Sequence, residues 1–379
     1  MTAYRGRMTT TRPFELHVPD ADLADLARRL DVFRPLPDSP RRPASGMTSA
    51  YLTELVTSWR ALDWRKREAW LNGHPQFLAD VEDTTIHFAH LRSADPDAPA
   101  VLVMHGWPHT FALQLDFADL LPDVHVVVPS LPGFAFSSAY SGNPITEARL
   151  AHTMHRLMTD VLGYDRFVTY GEDVSANVND LIAASYPESV AGILVTHSHF
   201  PSREERARLT APDEVAFFDR IDAWGGANGA YGHVQGTRPD TLAAALNDSP
   251  AGLLAWIAEK LVEWSHTPPG DPAAVERRIS RERILTEAML YWVTQSISTS
   301  FRPYYEGADQ PDAMPPVTVP AAVHVQRHEG DYPESLARAY YSDLRTFSRL
   351  EEGGHFAAAE VPTVMAERLR TFVAGLELR

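Results

Sequence analysis

The chain has 379 residues, of which 44% are hydrophobic, and a net charge of −16 at neutral pH. That length and apolar content suit one large α/β domain with insertions or two modest domains, while an acidic excess spread along the chain argues against nucleic acid or an anionic membrane as a partner. Cysteine is absent, which excludes disulfides, thiolate catalysis and cysteine-based metal sites.

The first twenty residues contain arginines but no apolar stretch to follow them, and nowhere does a run approach the roughly 18 consecutive apolar residues of a membrane span. A soluble, cytoplasmic protein is the expectation. No repeat of twenty to fifty residues is evident, which argues against a solenoid or propeller. Stretches rich in proline or acid at 34–46, 93–100 and 306–320 read as loops or linkers.

Between these breaks, short valine- and isoleucine-rich runs alternate with helical patterns. In chain order the predicted strands are 84–91, 100–106, 124–130, 166–171, 191–197 and 321–326. Helical spacing of apolar residues is clearest at 147–163 and 362–376. Such alternation predicts a mostly parallel sheet with helices on both faces. From about 200 to 315 the rhythm fails: helical patterns continue without a convincing strand, so a helical insertion is expected there, placed to act as a lid.

Three motifs carry chemistry. Gly171-Glu172-Asp173-Val174-Ser175 follows a predicted strand and precedes a helix-compatible segment, with small residues two positions either side of Asp173. That is the outline of a nucleophile elbow with aspartate at its apex, although an aspartate capping a helix would read alike. His105-Gly106-Trp107-Pro108 follows an earlier strand, where a loop can supply one backbone N–H of an oxyanion hole; the residue after the nucleophile supplies the other, making Trp107 and Val174 the expected donors. His355 follows Gly353 and Gly354, which permit its loop to approach another backbone closely. The order Asp173, an acid, then His355 is that of α/β-hydrolase triads. On chemistry alone, Glu329 and Asp331 both qualify as the acid, since either could hold the second imidazole nitrogen.

A carboxylate needs no base to activate it, because with an ordinary pKa of about 3.9 it is ionised at neutral pH. It can displace at saturated carbon to leave an ester, which histidine-activated water then hydrolyses. Epoxides and alkyl halides are the two matching substrate classes. An epoxide oxygen needs a proton donor, so tyrosines of the insertion, Tyr231 and Tyr304 or Tyr305, are the discriminating feature. The histidine pairs His87/His90 and His197/His199 lack a further ligand at metal-binding spacing and read as strand or strand-end residues. Neither a phosphate loop nor a dinucleotide fingerprint is present, and no cofactor or metal is expected.

The sequence resembles the epoxide hydrolases of the microsomal and juvenile-hormone type over nearly its whole length. The resemblance rests on "FELHVPDADLADLARRL", "YLTELVTSWRALDWRKREAWLN" and "PQFLADVEDTTIHFAHLRS" near the N-terminus, and on "HGWP", "GEDVSA", "YGHVQGTRPDTLAAALNDSPAGLLAWIAEK", "YWVTQSISTSFRPYYE" and "GGHFAAAE" beyond. It implies an N-terminal epoxide-hydrolase meander over 1–95, an α/β-hydrolase core over 96–199 and 316–379, and a helical lid over 200–315. It further implies Asp173 as nucleophile, His355 as base, Glu329 as acid, and Tyr231 and Tyr304 as donors to the epoxide oxygen. Pro303 stands where an aromatic usually precedes the second tyrosine. Val174 replaces a common tryptophan, which implies a wider pocket and a bulky, aryl-type epoxide. The expected reaction is epoxide plus water to a vicinal diol, in detoxification or secondary metabolism, on a chain free to form a homodimer. The alternatives are a haloalkane dehalogenase with the same nucleophile and a catalytically silent binding protein.

Overall fold

The computed structural model of the protein describes residues 11–41, 46–142, 144–307 and 314–376. Two of the predicted loops, 34–46 and 306–320, and the first ten residues of the N-terminal segment lie wholly or partly outside these ranges. At the centre is a nine-stranded sheet: β1 (Arg12–Phe14), β2 (Gln76–Val81), β3 (Thr84–Leu91), β4 (Ala100–Met104), β5 (His125–Pro129), β6 (Phe167–Gly171), β7 (Val190–Val195), β8 (Val317–Val325) and β9 (Tyr341–Arg349). Its order is β1-β2-β3-β5-β4-β6-β7-β8-β9. The three N-terminal strands pair antiparallel and reach β5; from there to β9 every pairing is parallel.

Strands β4 to β7 are buried at every residue. Helices therefore cover both faces, and the strands read as unbroken apolar runs rather than alternating ones. All six predicted strands are present, with ends shifted by up to four residues. Three strands escape sequence reading. β1 is only three residues long, β2 mixes polar and apolar residues, and β9 is an edge strand of sequence YSDLRTFSR in which Tyr341 alone is buried. A solvated edge strand needs no apolar run, because only its pairing with β8 fixes it.

The chain order reverses at β4, which lies between β5 and β6. In parallel α/β sheets the crevice beyond the C-terminal strand ends at such a reversal is where sites are built. The segments leaving β4 and β6 there are the His105-Gly106-Trp107 and Glu172-Asp173 motifs.

Between β7 and β8 the described residues form helices only, from Arg203 to Glu306. The N-terminal segment clamps this insertion. Arg67 donates to Thr286 at 2.8 Å, the Tyr51 hydroxyl lies 3.0 Å from Glu276, and Arg29 donates to the Asp248 carbonyl at 2.7 Å. Among the described residues no helix is long and apolar enough to cross a membrane.

Candidate active site

Asp173 closes the turn from β6 into the helix Val174–Ser185, with φ 57° and ψ −131°. A non-glycine residue held there costs on the order of 1–3 kcal/mol, which the buried strand and helix on either side must offset. Close approach makes the flanking small residues obligatory: a Cβ on Gly171 would lie 2.1 Å from the Ser175 carbonyl oxygen. The Asp173 side chain makes no capping bond to its own helix, so the helix-cap reading of this motif is set aside. Its Oδ1 instead accepts the Trp107 N–H at 3.0 Å, and the Val174 N–H lies close enough to favour the ionised carboxylate. Burial opposes ionisation, but His355 and the Val174 N–H outweigh it and hold the carboxyl below its usual range.

His355 sits on the loop between β9 and the last helices. Its N–H donates to the Trp264 carbonyl at 2.9 Å, and a Cβ on Gly354 would come within 2.5 Å of that same oxygen. The imidazole Nε2 lies 3.2 Å from Asp173 Oδ2. Its pKa is raised: burial lowers it, and the neighbouring Asp173 carboxylate more than reverses that.

The other ring nitrogen has an unexpected partner. His355 Nδ1 is 3.0 Å from His197 Nε2, with the rings edge to face at 4.5 Å between centroids. Burial keeps His197 neutral, its pKa pushed down to about 3. Its Nε2 can thus accept the His355 Nδ1–H while its own proton points toward Thr196 Oγ1, 3.3 Å away.

Glu329 is not hydrogen bonded to His355. It stands in the short turn Arg327–Glu329 after β8 and, with His355 and Trp264, lines a cavity of about 180 Å³ behind the imidazole. Its Oε2 has no hydrogen-bond partner, and burial pushes its carboxyl up to about 7 against the opposing pull of His355. Asp331 is elsewhere engaged, in an ion pair with Arg220 at 2.7 Å on the exposed side.

On its other side His355 faces a cavity of about 350 Å³, lined among others by Trp107, Phe134, Asp173, Phe200, Tyr231 and Tyr304. That is the size range of small-molecule sites. Tyr231 stacks on Trp107 with ring centroids 5.5 Å apart and planes 9° from parallel, and Tyr304 meets the same indole edge to face at 6.1 Å. Both phenols are held protonated, burial and then the Asp173 charge raising their pKa. Tyr305 is 56% exposed and does not line the cavity. Val174 and Pro303 complete part of the wall.

Two residues that sequence reasoning passed over join the site. His197, read there as a strand-end histidine, holds His355. Glu172, read only as a spacer, accepts hydrogen bonds from the Ala358 N–H at 2.8 Å, Tyr170 at 2.5 Å and Gln114 at 2.9 Å. Although burial resists its ionisation, His109 and these donors hold its pKa at about 2. It thereby ties the histidine loop to the elbow. The signal for His197 was its place at the end of a buried strand beside the elbow strand; for Glu172 it was a second carboxylate directly beside the apex of the elbow.

His87 bonds Ser130 and Gln76, each at 2.9 Å, and His90 bonds Tyr164 at 2.9 Å. Among the described residues no group of three potential ligands is placed to hold a metal ion.

The geometry has close counterparts among known proteins. Residues 11–113 match the epoxide hydrolase N-terminus family and 99–230 the alpha/beta hydrolase fold. Epoxide hydrolase 1 of Sus scrofa is 32% identical over 415 residues, covering 97% of this chain and 89% of that protein. The crystal structure of juvenile hormone epoxide hydrolase from Bombyx mori superposes with a TM-score of 0.88 at 26% identity, covering 97% of this chain and 94% of that one. The Aspergillus niger epoxide hydrolase structure gives 0.83 at 29% identity, with 97% of each chain covered. An α/β-hydrolase sheet with its helical insertion, and likeness over nearly the full length, place this chain in the epoxide hydrolase family, hydrolases that act on the ether bond of an epoxide.

Proposed function

We propose that Asp173 opens the epoxide by direct attack and that His355 releases the resulting ester. The observation that carries this reading is the two-sided grip on one carboxylate: Oδ1 on the Trp107 N–H at 3.0 Å and Oδ2 facing His355 Nε2 at 3.2 Å. Attack forms an ester between Asp173 and one epoxide carbon, breaking that carbon's bond to oxygen. The alkoxide so formed takes a proton from Tyr231 or Tyr304, whose rings meet 6.0 Å apart across the cavity from Asp173.

Ester formation removes the Asp173 charge. The carboxylate that raised the His355 pKa is then gone while burial remains, so the imidazole gives up its proton, which returns to the tyrosinate, and can take one from water. The hydroxide so formed adds to the ester carbonyl, and the oxyanion develops on an oxygen already faced by the Trp107 and Val174 N–H groups. Collapse of this intermediate breaks the ester's bond to the substrate oxygen, which takes the imidazolium proton and leaves as the diol, restoring the Asp173 carboxyl group. Glu329 on the far side of His355 is drawn toward ionisation by positive charge on the imidazole and stabilises the imidazolium in return, and His197 fixes the ring plane. The insertion serves as a lid that carries both tyrosines. Neither cofactor nor metal takes part in this scheme, which runs in a soluble, cytoplasmic chain.

A bulky, aryl-type epoxide fits best, because Trp107, Phe134 and Phe200 wall the cavity and Val174 leaves room beside the nucleophile. The test is chiral chromatography of diol from racemic styrene oxide, with the wild type and Asp173→Ala run side by side. Diol from the wild type alone is the expected result; diol from both would remove Asp173 as nucleophile. Faster turnover of small aliphatic epoxides than of aryl ones would overturn the substrate class.

A further inference from the structure

One carboxylate on the cavity wall has no part in that scheme. Glu147 lines the cavity with Asp173, on the first turn of the helix Glu147–Arg156. Thr146 caps that helix, its hydroxyl accepting the Arg149 N–H at 3.1 Å, which fixes where Glu147 stands. Its Oε1 accepts from Asn177 Nδ2 at 3.0 Å, and this is its one hydrogen bond among the described residues. Asn177 also lines the cavity.

A helix N-terminus favours a carboxylate, yet an exposed one would gain the same and keep its water. Here the group is half buried beside an apolar cavity and close enough to Asp173 to feel its charge. One neutral amide takes up only part of a carboxylate's acceptor capacity, and both side chains border the cavity that holds Asp173.

We propose that Glu147 and Asn177 form a polar subsite that takes a hydrogen-bond donor, a hydroxyl or an ammonium, carried by the epoxide. Asn177 follows Asp173 by four residues on the same helix, so the subsite lies about one turn, roughly 5–6 Å, from the nucleophile. The donor group therefore sits several bonds from the carbon attacked. This inference assumes Asp173 as the attacking group only to set that distance.

The test separates binding from turnover. Calorimetry measures hexane-1,2,6-triol against heptane-1,2-diol, which differ in a terminal hydroxyl or methyl, on the wild type, Glu147→Gln and Glu147→Leu. The wild type should favour the triol by about tenfold, Glu147→Gln should keep part of that preference through its amide oxygen, and Glu147→Leu should abolish it. No preference in the wild type, or the same preference in Glu147→Leu, would overturn the subsite. A primary ammonium congener, which adds charge to its N–H donors, should lose most of its extra advantage over the triol already in Glu147→Gln; an advantage kept in Glu147→Leu would likewise count against the subsite. Diol formation from the matching epoxides is followed in parallel. Its loss with an intact binding preference would break the Asp173 reading and leave the subsite standing.

Discussion

The elbow and the histidine loop hold the two central groups of the proposed reaction by different means. Asp173 is gripped by backbone N–H groups of Trp107 and Val174, in a turn wedged between a buried strand and its helix. His355 is held by side chains: His197 on one nitrogen, the aromatic face of Trp264 at 5.0 Å, and Glu329 across a cavity. Backbone donors survive every substitution except proline, whereas side-chain partners do not. The elbow is thus a nearly all-or-none device, and the loop is one whose acidity can be tuned in steps.

Breaking the elbow gives the largest effect. Asp173→Ala should reduce diol formation by at least about 10⁴-fold, in the range seen when a nucleophile is removed, as measured by chromatography. His355→Gln should lose turnover as heavily but keep the first step. Intact-protein mass spectrometry should then show a stable adduct of one substrate mass, and wild-type hydrolysis by this variant would show that another group is the base.

The tyrosines come next. Tyr304→Phe and Tyr231→Phe should each slow ester formation by about 10²-fold, the usual effect of losing one donor to a developing oxyanion, as read by stopped-flow tryptophan fluorescence. Unchanged alkylation in Tyr304→Phe would move attention to the exposed Tyr305.

Smaller effects sharpen the comparison. Glu329→Gln should slow ester hydrolysis by roughly 10-fold to 100-fold and leave ester formation almost unaltered, because only in the second step does new positive charge build on the imidazole as the bond changes take place. His197→Asn should cost about 10-fold through loss of ring orientation and displace the acid limb of the pH profile. Equal slowing of both steps in either variant would argue for a general packing defect instead.

The sign of the pH dependence follows from the Asp173 charge. In the resting protein His355 titrates above its ordinary value; in the ester, with that carboxylate neutralised, it titrates lower. The acid limb of single-turnover ester hydrolysis should therefore lie at lower pH than the resting titration of His355 followed by NMR. Coincidence of the two would mean that Asp173 does not set the histidine's acidity.

Much of the fold and of the site is legible in the amino-acid sequence. The parallel strands are apolar at every position because both faces are buried, so periodicity finds them and the fold class together. Asp173 and His355 stand out because strained turns and close approaches demand small neighbours, which leave marks in sequence. β9 leaves no such mark, being an edge strand held by pairing. His197 escapes because a lone histidine looks the same whether it fills a strand end or supports a base.

What the sequence determined by itself was local: strand and helix periods, the turn around Asp173, and the glycine-flanked approach of His355, all set by contacts within a few residues. Tertiary structure alone decided which side chains meet. It set Asp331 on Arg220 and Glu329 behind the imidazole, brought His197 to His355 across 158 positions, and put Tyr304 rather than Tyr305 on the wall of the cavity that holds Asp173. Those pairings depend on how sheet and insertion pack, which sums many weak contacts along the whole chain, and no short motif records such a sum.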